Sequence, residues 1–431
     1  MKDMVDNPIN VLLFPAEGIN TIELHDALST CVNIRLFGAS SVRRTGRYIF
    51  ENYIPGLPAI SDPAFIDRFN DILREHRIDL VFPTHDTVAR FLVQNAGRIG
   101  SRIVSGDLDT VEICRSKIRT HDLFKDTGFV PRRYTGKGSV DFPLFAKPDE
   151  GQGAQGARIV RDAVELEGID PETFLITEFL PGKEFTVDCL TDAKGVLRYV
   201  SPRTRDRAMG GVSVAGRTLP VSDEIRLMAE TVNDRLRFLG LWYFQVREDK
   251  GGKPKLMEVS SRCAGSMVLT RAKGINLPLL SVYAAMGRDI LCFDNGRDVE
   301  MERYFTGSYT IEGLTYSTVY IDFDDTVTLN GKVNLNVIRF LYQCHNEGKE
   351  VVLLTKHIHD IHASLSRYAI SEGLFSRIVP MEEGEKKSLK IETKDAIFID
   401  NMFAERLDVR QVCGIPVFDV DQVEFLLDRR Y

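Results

Sequence analysis

Between Phe142 and Glu184 the chain reads FPLFAKPDEGQGAQGARIVRDAVELEGIDPETFLITEFLPGKE. An apolar strand, Pro143 to Ala146, ends in Lys147. Gly151, Gly153 and Gly156 follow, and a second apolar run, Ala157 to Val160, begins at once. A further strand, Thr173 to Thr177, ends in Glu178, with Glu184 six residues beyond. Glycines let backbone N–H groups come close to a polyphosphate, because no side chain intervenes. A lysine on the adjoining strand adds a point charge for phosphate oxygens. The glycines spell GxGxxG, but dinucleotide binding needs a helix to open there. Here a strand opens, so the stretch predicts a hairpin able to fold over phosphates. An ordinary hairpin with a flexible turn satisfies the same pattern, and only its surroundings separate the two.

Those surroundings belong to a chain of 431 residues, enough for roughly two to four domains. A net charge of −7 argues against general nucleic-acid binding, which needs a basic face. Seven scattered cysteines without CxxC pairing read as reduced thiols, as expected of a cytoplasmic protein. The start, MKDMVDNPIN, lacks the order of a signal peptide, and no apolar run reaches the ~18 residues of a membrane span.

Residues 10–115 alternate apolar strands (NVLLF, NIRLFGAS, DLVFPTHD, RIVSG) with helical patterns. One helix places Phe65, Phe69, Ile72 and Leu73 on a single face. This βαβ order predicts a parallel sheet with helices on both faces. Pro83, Thr84, His85 and Asp86 lie at the carboxyl end of a strand, where ligands bind in open α/β sheets. His85 there reads as a structural cap or as a functional residue. Lys117 rides on the helix after residue 116. Arg203, Arg205 and Arg207 alternate, so in an extended segment they would share one face and recognise an anion; solvated charges on a strand edge are the plainer reading. LWYFQVREDK, a turn at Gly251-Gly252, and KPKLMEVSSR form a strand hairpin with Gln245 on one arm and Glu258 on the other. Ser260 and Arg262 repeat at two-residue steps and face the same way. Oxygen ligands from neighbouring strands suit Mg2+; a half-exposed hairpin with polar outward positions is the alternative.

Taken in order, these motifs make residues 1 to about 300 resemble an ATP-grasp enzyme, closest to the carbamoyl-phosphate synthase large-subunit branch. The resemblance implies that Lys117 and Lys147 contact ATP with the loop Gly151, Gly153 and Gly156. It implies that Glu178 and the backbone of Phe179 and Leu180 meet the adenine, and that Glu184 holds the ribose. Gln245, Glu258 and Ser260 would bind Mg2+, with Mn2+ as a substitute ion. Arg262, with Arg205, would steady the transferred phosphoryl group. The family's usual asparagine is Ser260 here, which puts one metal contact in doubt.

At the C-terminal end, a strand from Val319 to Ile321 runs into Asp322, Phe323, Asp324, Asp325 and Thr326. Asp322 and Asp324 are two apart, so both carboxylates are expected to point the same way: one for nucleophilic attack, one for acid–base work. Further strands end in Thr355 and in Asp400-Asn401, with Lys386, Lys387 and Lys390 between them. This order resembles the haloacid dehalogenase (HAD)-like phosphatases. The resemblance makes Asp322 the nucleophile and Asp324 the acid/base. It makes Thr355 and Lys387 phosphate ligands and Asp322, Asp324 and Asp400 the Mg2+ site. No insertion is large enough for a cap.

The expected architecture is therefore α/β and α+β multidomain: a Rossmann-like pre-ATP-grasp domain (1–115), an ATP-grasp fold (116–305) and a capless HAD-like Rossmannoid domain (316–431). The expected function is a bifunctional ligase and phosphatase using ATP and Mg2+. A phosphatase regulated by a non-ligating ATP-grasp module, or an interaction protein with a dead DFDDT unit, are the alternatives. Expected partners are a small-molecule carboxylate, a nucleophile and a phosphorylated metabolite. Neither nucleic acid nor membrane is expected, and homodimerisation is left open.

Overall fold

The computed structural model describes residues 8–42, 44–136, 140–151 and 155–430. The chain divides into two compact units, Met1–Tyr304 and Phe305–Tyr431.

The first unit opens with a five-stranded parallel sheet, ordered Asn52–Pro55, Ile34–Ser40, Ile9–Phe14, Leu80–Pro83 and Arg102–Ile103. The apolar run Val11–Phe14 is buried on both faces, as a central parallel strand must be. Leu12 and Phe14 join the predicted helix face of Phe65, Phe69, Ile72 and Leu73. Val11 and Leu13 face the other way and pack with Leu24 and Leu28, and with Leu241, Leu277 and Val282 from the later part of the unit. That shared core fixes the parallel sheet against the strand and helix that carry Leu241, Leu277 and Val282.

The glycine stretch forms the predicted hairpin. Leu144–Pro148 pairs antiparallel with Arg158–Val160 on one side and Phe174–Glu178 on the other, and Arg133–Tyr134 completes a four-stranded sheet. A second four-stranded antiparallel sheet is ordered Leu197–Thr204, Glu184–Thr191, Gly240–Glu248 and Pro254–Ser260. The helix Asp223–Arg235 covers it, placing Ile225, Met228, Ala229 and Val232 against Val187, Trp242 and Phe244.

The shared arginine face does not form. The strand carrying Arg203 ends at Thr204, and Arg207 begins a strand of a separate three-stranded sheet, so two-residue alternation breaks between them. Arg203 is buried, paired with Asp188 and bonded to Ser266 Oγ at 2.8 Å. Arg207 pairs with Glu302 at the surface.

The second unit is a five-stranded parallel sheet ordered Arg377–Pro380, Glu350–Thr355, Thr318–Ile321, Ala396–Ile399 and Val417–Phe418. Thr318–Ile321 is central and fully buried. Its two faces pack separately, Val319 and Ile321 with Phe340, Leu341 and Leu365, and Tyr320 with Leu354, Phe398 and Val409. The strand ends that bear Asp322, Thr355 and Asp400 therefore lie side by side. All seven cysteines are free thiols. Among the described residues no helix is long and apolar enough to cross a membrane.

Candidate active sites

In the first unit, the strand Leu144–Pro148 carries Lys147 toward the hairpin Gly240–Glu248/Pro254–Ser260. Lys147 Nζ lies 3.9 Å from Met257 Sδ. Burial pushes its amine down to about 8; Glu258 opposes that shift and Lys117 adds to it. Lys117 starts its helix, with Ser116 as N-cap. Its Nζ donates to the carbonyls of Asp149 and Gly151, both at 3.3 Å, and burial lowers its pKa against the pull of Glu258. The charge of one carboxylate, Glu258, thus acts on both lysines. Gly156 has φ +73°, and a Cβ there would sit 2.8 Å from Pro148 Cγ, so any side chain at that position is strained. Gly153 lies outside the described residues.

Gln245 and Glu258 are directly paired across the hairpin. With its amide oriented to satisfy both neighbours, Gln245 donates to Glu258 Oε1 at 3.1 Å and accepts from Arg205 Nη1 at 3.0 Å. Arg205 also reaches Glu184 at 2.7 Å, with Arg247 3.8 Å from the same carboxylate. Glu178 is engaged elsewhere: its carboxylate accepts from the backbone N–H of Arg132 at 2.8 Å. Phe179 is half-buried and Leu180 buried.

Ser260 departs from the expected metal contact. It does face the way Glu258 faces, but its hydroxyl donates to Asp86 Oδ1 at 2.6 Å. Arg262 Nη2 donates to Asp86 Oδ2 at 2.7 Å, and its guanidinium lies 5.5 Å from the Tyr243 ring centre. Burial works to raise the Asp86 pKa, but the charge and hydrogen bonds of Arg262 prevail and hold it below the ordinary carboxylate range. Asp86 comes from the carboxyl end of the parallel strand Leu80–Pro83, across 174 residues of sequence from Ser260. Its place at a strand end was the available signal. Its neighbour His85 is the N-cap of helix Asp86–Gln94, accepting from Thr87 N at 3.2 Å.

In the second unit, Lys387 Nζ donates to Asp322 Oδ1 at 2.5 Å and to Asp400 Oδ2 at 2.7 Å. All three are buried, Lys387 at 3% exposure and Asp400 at 0%. Burial pushes Asp322 up to about 6; Lys387 opposes the shift and Asp400 adds to it. Thr326 Oγ1 donates to Asp322 Oδ2 at 3.4 Å and accepts from Asn401 N at 3.2 Å, tying two strand ends together. Thr355 is buried, and its hydroxyl accepts from His357 N at 3.1 Å. Glu405 pairs with Lys356 at 2.5 Å.

The parallel orientation expected of Asp322 and Asp324 is not found. The strand ends at Ile321 and the chain enters a tight turn, with Asp325 at φ +51°, so strand alternation no longer applies. Asp324 turns instead to His357 Nδ1, at 3.0 and 2.9 Å from its two oxygens. Only Asp322 and Asp400 of the three expected metal carboxylates share a partner. Among the described residues no group of three or more His, Cys, Asp or Glu side chains is placed to hold a metal.

Residues 170–304 match the family model described as "ATP-grasp in the biosynthetic pathway with Ter operon". That stretch of the chain is similar to an ATP-grasp domain. The chain is also similar to 3-methyl-D-ornithine–L-lysine ligase of Methanosarcina barkeri, 29% identical over 119 residues. That alignment covers 27% of this chain and 31% of the ligase, so the chain spans about a third of that relative. L-amino acid ligase from Bacillus licheniformis superposes with a TM-score of 0.52 at 20% identity, over 65% of this chain and 74% of that one. N5-carboxyaminoimidazole synthetase from Staphylococcus aureus, complexed with ADP, gives 0.54 at 11% identity, over 66% and 78%. These likenesses establish the fold.

The residues gathered in the first unit fit a magnesium nucleotide. Lys117 Nζ is bonded to the backbone at Asp149 and Gly151, Lys147 is a second buried amine, and Arg262 keeps a buried Nε without a hydrogen-bond partner, free for an anion. Glu258 is the one carboxylate of the expected metal set, and Gln245 is neutral. Mg2+ commonly binds through one or two carboxylates, completed by phosphate oxygens and water.

Proposed function

We propose that the chain is a bifunctional enzyme: an ATP-dependent carboxylate–amine ligase and a phosphatase acting through an aspartyl phosphate. The domains would be 1–115, 116–305 and 316–431, the last a capless HAD-like unit. The observation that carries the ligase reading is Lys117 Nζ bonded to the Asp149 and Gly151 carbonyls, with Lys147 a second buried amine and the charge of Glu258 acting on both. In this reading Lys117, Lys147 and the turn at Gly151, Gly153 and Gly156 hold the phosphates. Glu178, Phe179 and Leu180 border the base, and Glu184 binds the ribose hydroxyls once Arg205 yields it. Gln245 and Glu258 would hold Mg2+, which offsets phosphate charge. Arg262, pinned by Asp86, faces the transferred group. The acceptor carboxylate attacks the γ-phosphorus, ADP leaves, and an amine displaces phosphate from the acyl phosphate with loss of a proton. Positioning and charge neutralisation supply most of such catalysis. The names of the ligase relatives favour an amino-acid acceptor, and the carbamoyl-phosphate synthase likeness rests on motif order alone.

For the second unit the carrying observation is the Asp322–Lys387–Asp400 triad at adjoining strand ends. Asp322 attacks a phosphomonoester, Asp324 protonates the departing oxygen, and water then releases phosphate while Asp324 takes back a proton. Thr355 and Lys387 bind the phosphoryl oxygens, and Asp322 with Asp400 would hold Mg2+.

The ligase test supplies ATP, Mg2+ and paired amino-acid acceptors and follows ADP, which should form only with a competent carboxylate. The commitment of Ser260 to Asp86 favours a second reading, a nucleotide-binding module that regulates the phosphatase. Tight ATP binding with no ADP from any acceptor selects that reading. Equal phosphatase rates in wild type and Asp322→Asn would rule out a nucleophilic Asp322.

A further inference from the structure

We infer that His357 is the positioning residue for Asp324, holding its carboxyl group where a leaving-group oxygen takes up a proton. The inference rests on the phosphatase reading of the second unit.

The need for such a residue comes from the turn. Asp324 lies where the chain has left the central strand, and its side chain is 53% exposed. A carboxylate that exposed exchanges rotamers freely unless something fixes it. His357 supplies the fixing group. Its side chain is only 10% exposed, and Nδ1 contacts both carboxylate oxygens, at 3.0 and 2.9 Å. Its Nε2 lies 2.7 Å from Ser364 Oγ, on the helix Ile361–Arg367. One tautomer satisfies every group: Nδ1–H donates to Asp324 and Nε2 accepts the Ser364 hydroxyl proton. The backbone of His357 is tied to Thr355 Oγ1 at 3.1 Å. Its ring meets Phe323 edge-on, centroids 5.1 Å apart, and Phe323 is fully buried next to Asp322. The imidazole is thus held by the strand end, by a helix and by the core, and passes that rigidity to one exposed carboxylate.

The reaction says what this position is for. As Asp322 forms its bond to phosphorus, the bond to the ester oxygen breaks and the electron pair stays on that oxygen. The Asp324 proton goes to it, giving the free alcohol. In the second half, water bonds to phosphorus, the Asp322–phosphorus bond breaks, and Asp324 accepts the proton that water loses. A misplaced Asp324 therefore harms esters whose leaving group needs protonation and spares those whose leaving group departs as an anion.

The test compares kcat/KM for phenyl phosphate and 4-nitrophenyl phosphate, since kcat/KM reports transfer to Asp322. General acid catalysis contributes ~10²–10⁴-fold. His357→Ala should lose at least about 30-fold on phenyl phosphate and no more than about threefold on 4-nitrophenyl phosphate. Inhibition by inorganic phosphate should be unchanged. His357→Asn, whose amide nitrogen overlays Nδ1, should recover most of the loss; His357→Gln, whose nitrogen overlays Nε2, should not. The Asn/Gln pair carries the test should the alanine variant fold poorly. Equal losses on both esters, or Asn no better than Gln, overturn the role of His357. Asp322→Asn with undiminished turnover overturns the phosphatase reading itself, so the two failures are distinguishable.

Discussion

Replacing Lys387 with methionine should destabilise the second unit in a way that depends on pH. The ammonium group sits 2.5 Å from Asp322 and 2.7 Å from Asp400, with both carboxylates buried. Methionine keeps most of the side-chain volume but leaves two carboxylates with no cation between them. Removing one partner of a buried ion pair costs about 3–5 kcal/mol. Asp322 is already raised to about 6 by burial with the lysine present. Without it, the folded-state pKa rises further above the unfolded value. A carboxyl group raised in this way binds more protons folded than unfolded, so stability falls as pH climbs through that window. The deficit should be larger at pH 8 than at pH 5.5. It should shrink by at least about 1.4 kcal/mol at pH 5.5, where the carboxyls protonate. Native-state hydrogen exchange in Thr318–Ile321 and Ala396–Ile399 reads this directly, because 4 kcal/mol corresponds to roughly a thousandfold faster exchange through global opening. Adding Asp322→Asn should restore much of the loss, since one carboxylate no longer faces another. Exchange within tenfold of wild type at both pH values would refute the reasoning, as would a deficit identical at the two.

Three further outcomes are expected of the first unit. Lys147→Met should weaken ATP binding at least about tenfold by calorimetry, and wild-type affinity should fall as pH rises through about 8, where the free protein's buried amine gives up its charge. Asp86→Ala strands the buried Arg262 guanidinium and should cost about 3–5 kcal/mol in an unfolding transition followed by the single tryptophan, Trp242; Asp86→Asn, which keeps one acceptor oxygen for Arg262 while its amide N–H can donate to Ser260 Oγ, should cost less. Gly156→Ala forces a side chain into φ +73° and onto Pro148, a strain of about 1–2 kcal/mol, and should weaken ATP binding about tenfold with little change in that transition.

The local elements that carry the chemistry were legible along the chain. The strand–glycine–strand order around Lys147 allowed only a hairpin, because apolar residues resumed directly after Gly156. Aspartates and a threonine at the ends of apolar runs placed Asp322, Thr355 and Asp400 at one edge of a parallel sheet, since such runs are buried on both faces and stack in register. Two-residue spacing was reliable only inside a strand. It held for Glu258 and Ser260 and failed for Arg203, Arg205 and Arg207 and for Asp322 and Asp324, where the strand stops.

What a side chain touches was decided by the packed molecule. Lys387 could be singled out from its lysine cluster only weakly, because choosing among Lys386, Lys387 and Lys390 depends on which one a short helical turn buries. Asp86 reaches Ser260 and Arg262 because Val11 and Leu13 share a core with Leu241 and Val282, a docking with no local signature. His357 reaches Asp324 because the chain leaves the strand in a tight turn, where two-residue alternation no longer sets the side chain's direction. Backbone periodicity is local and survives in the letters of the sequence; the partner of a buried charge is chosen by whichever distant surface excludes water around it.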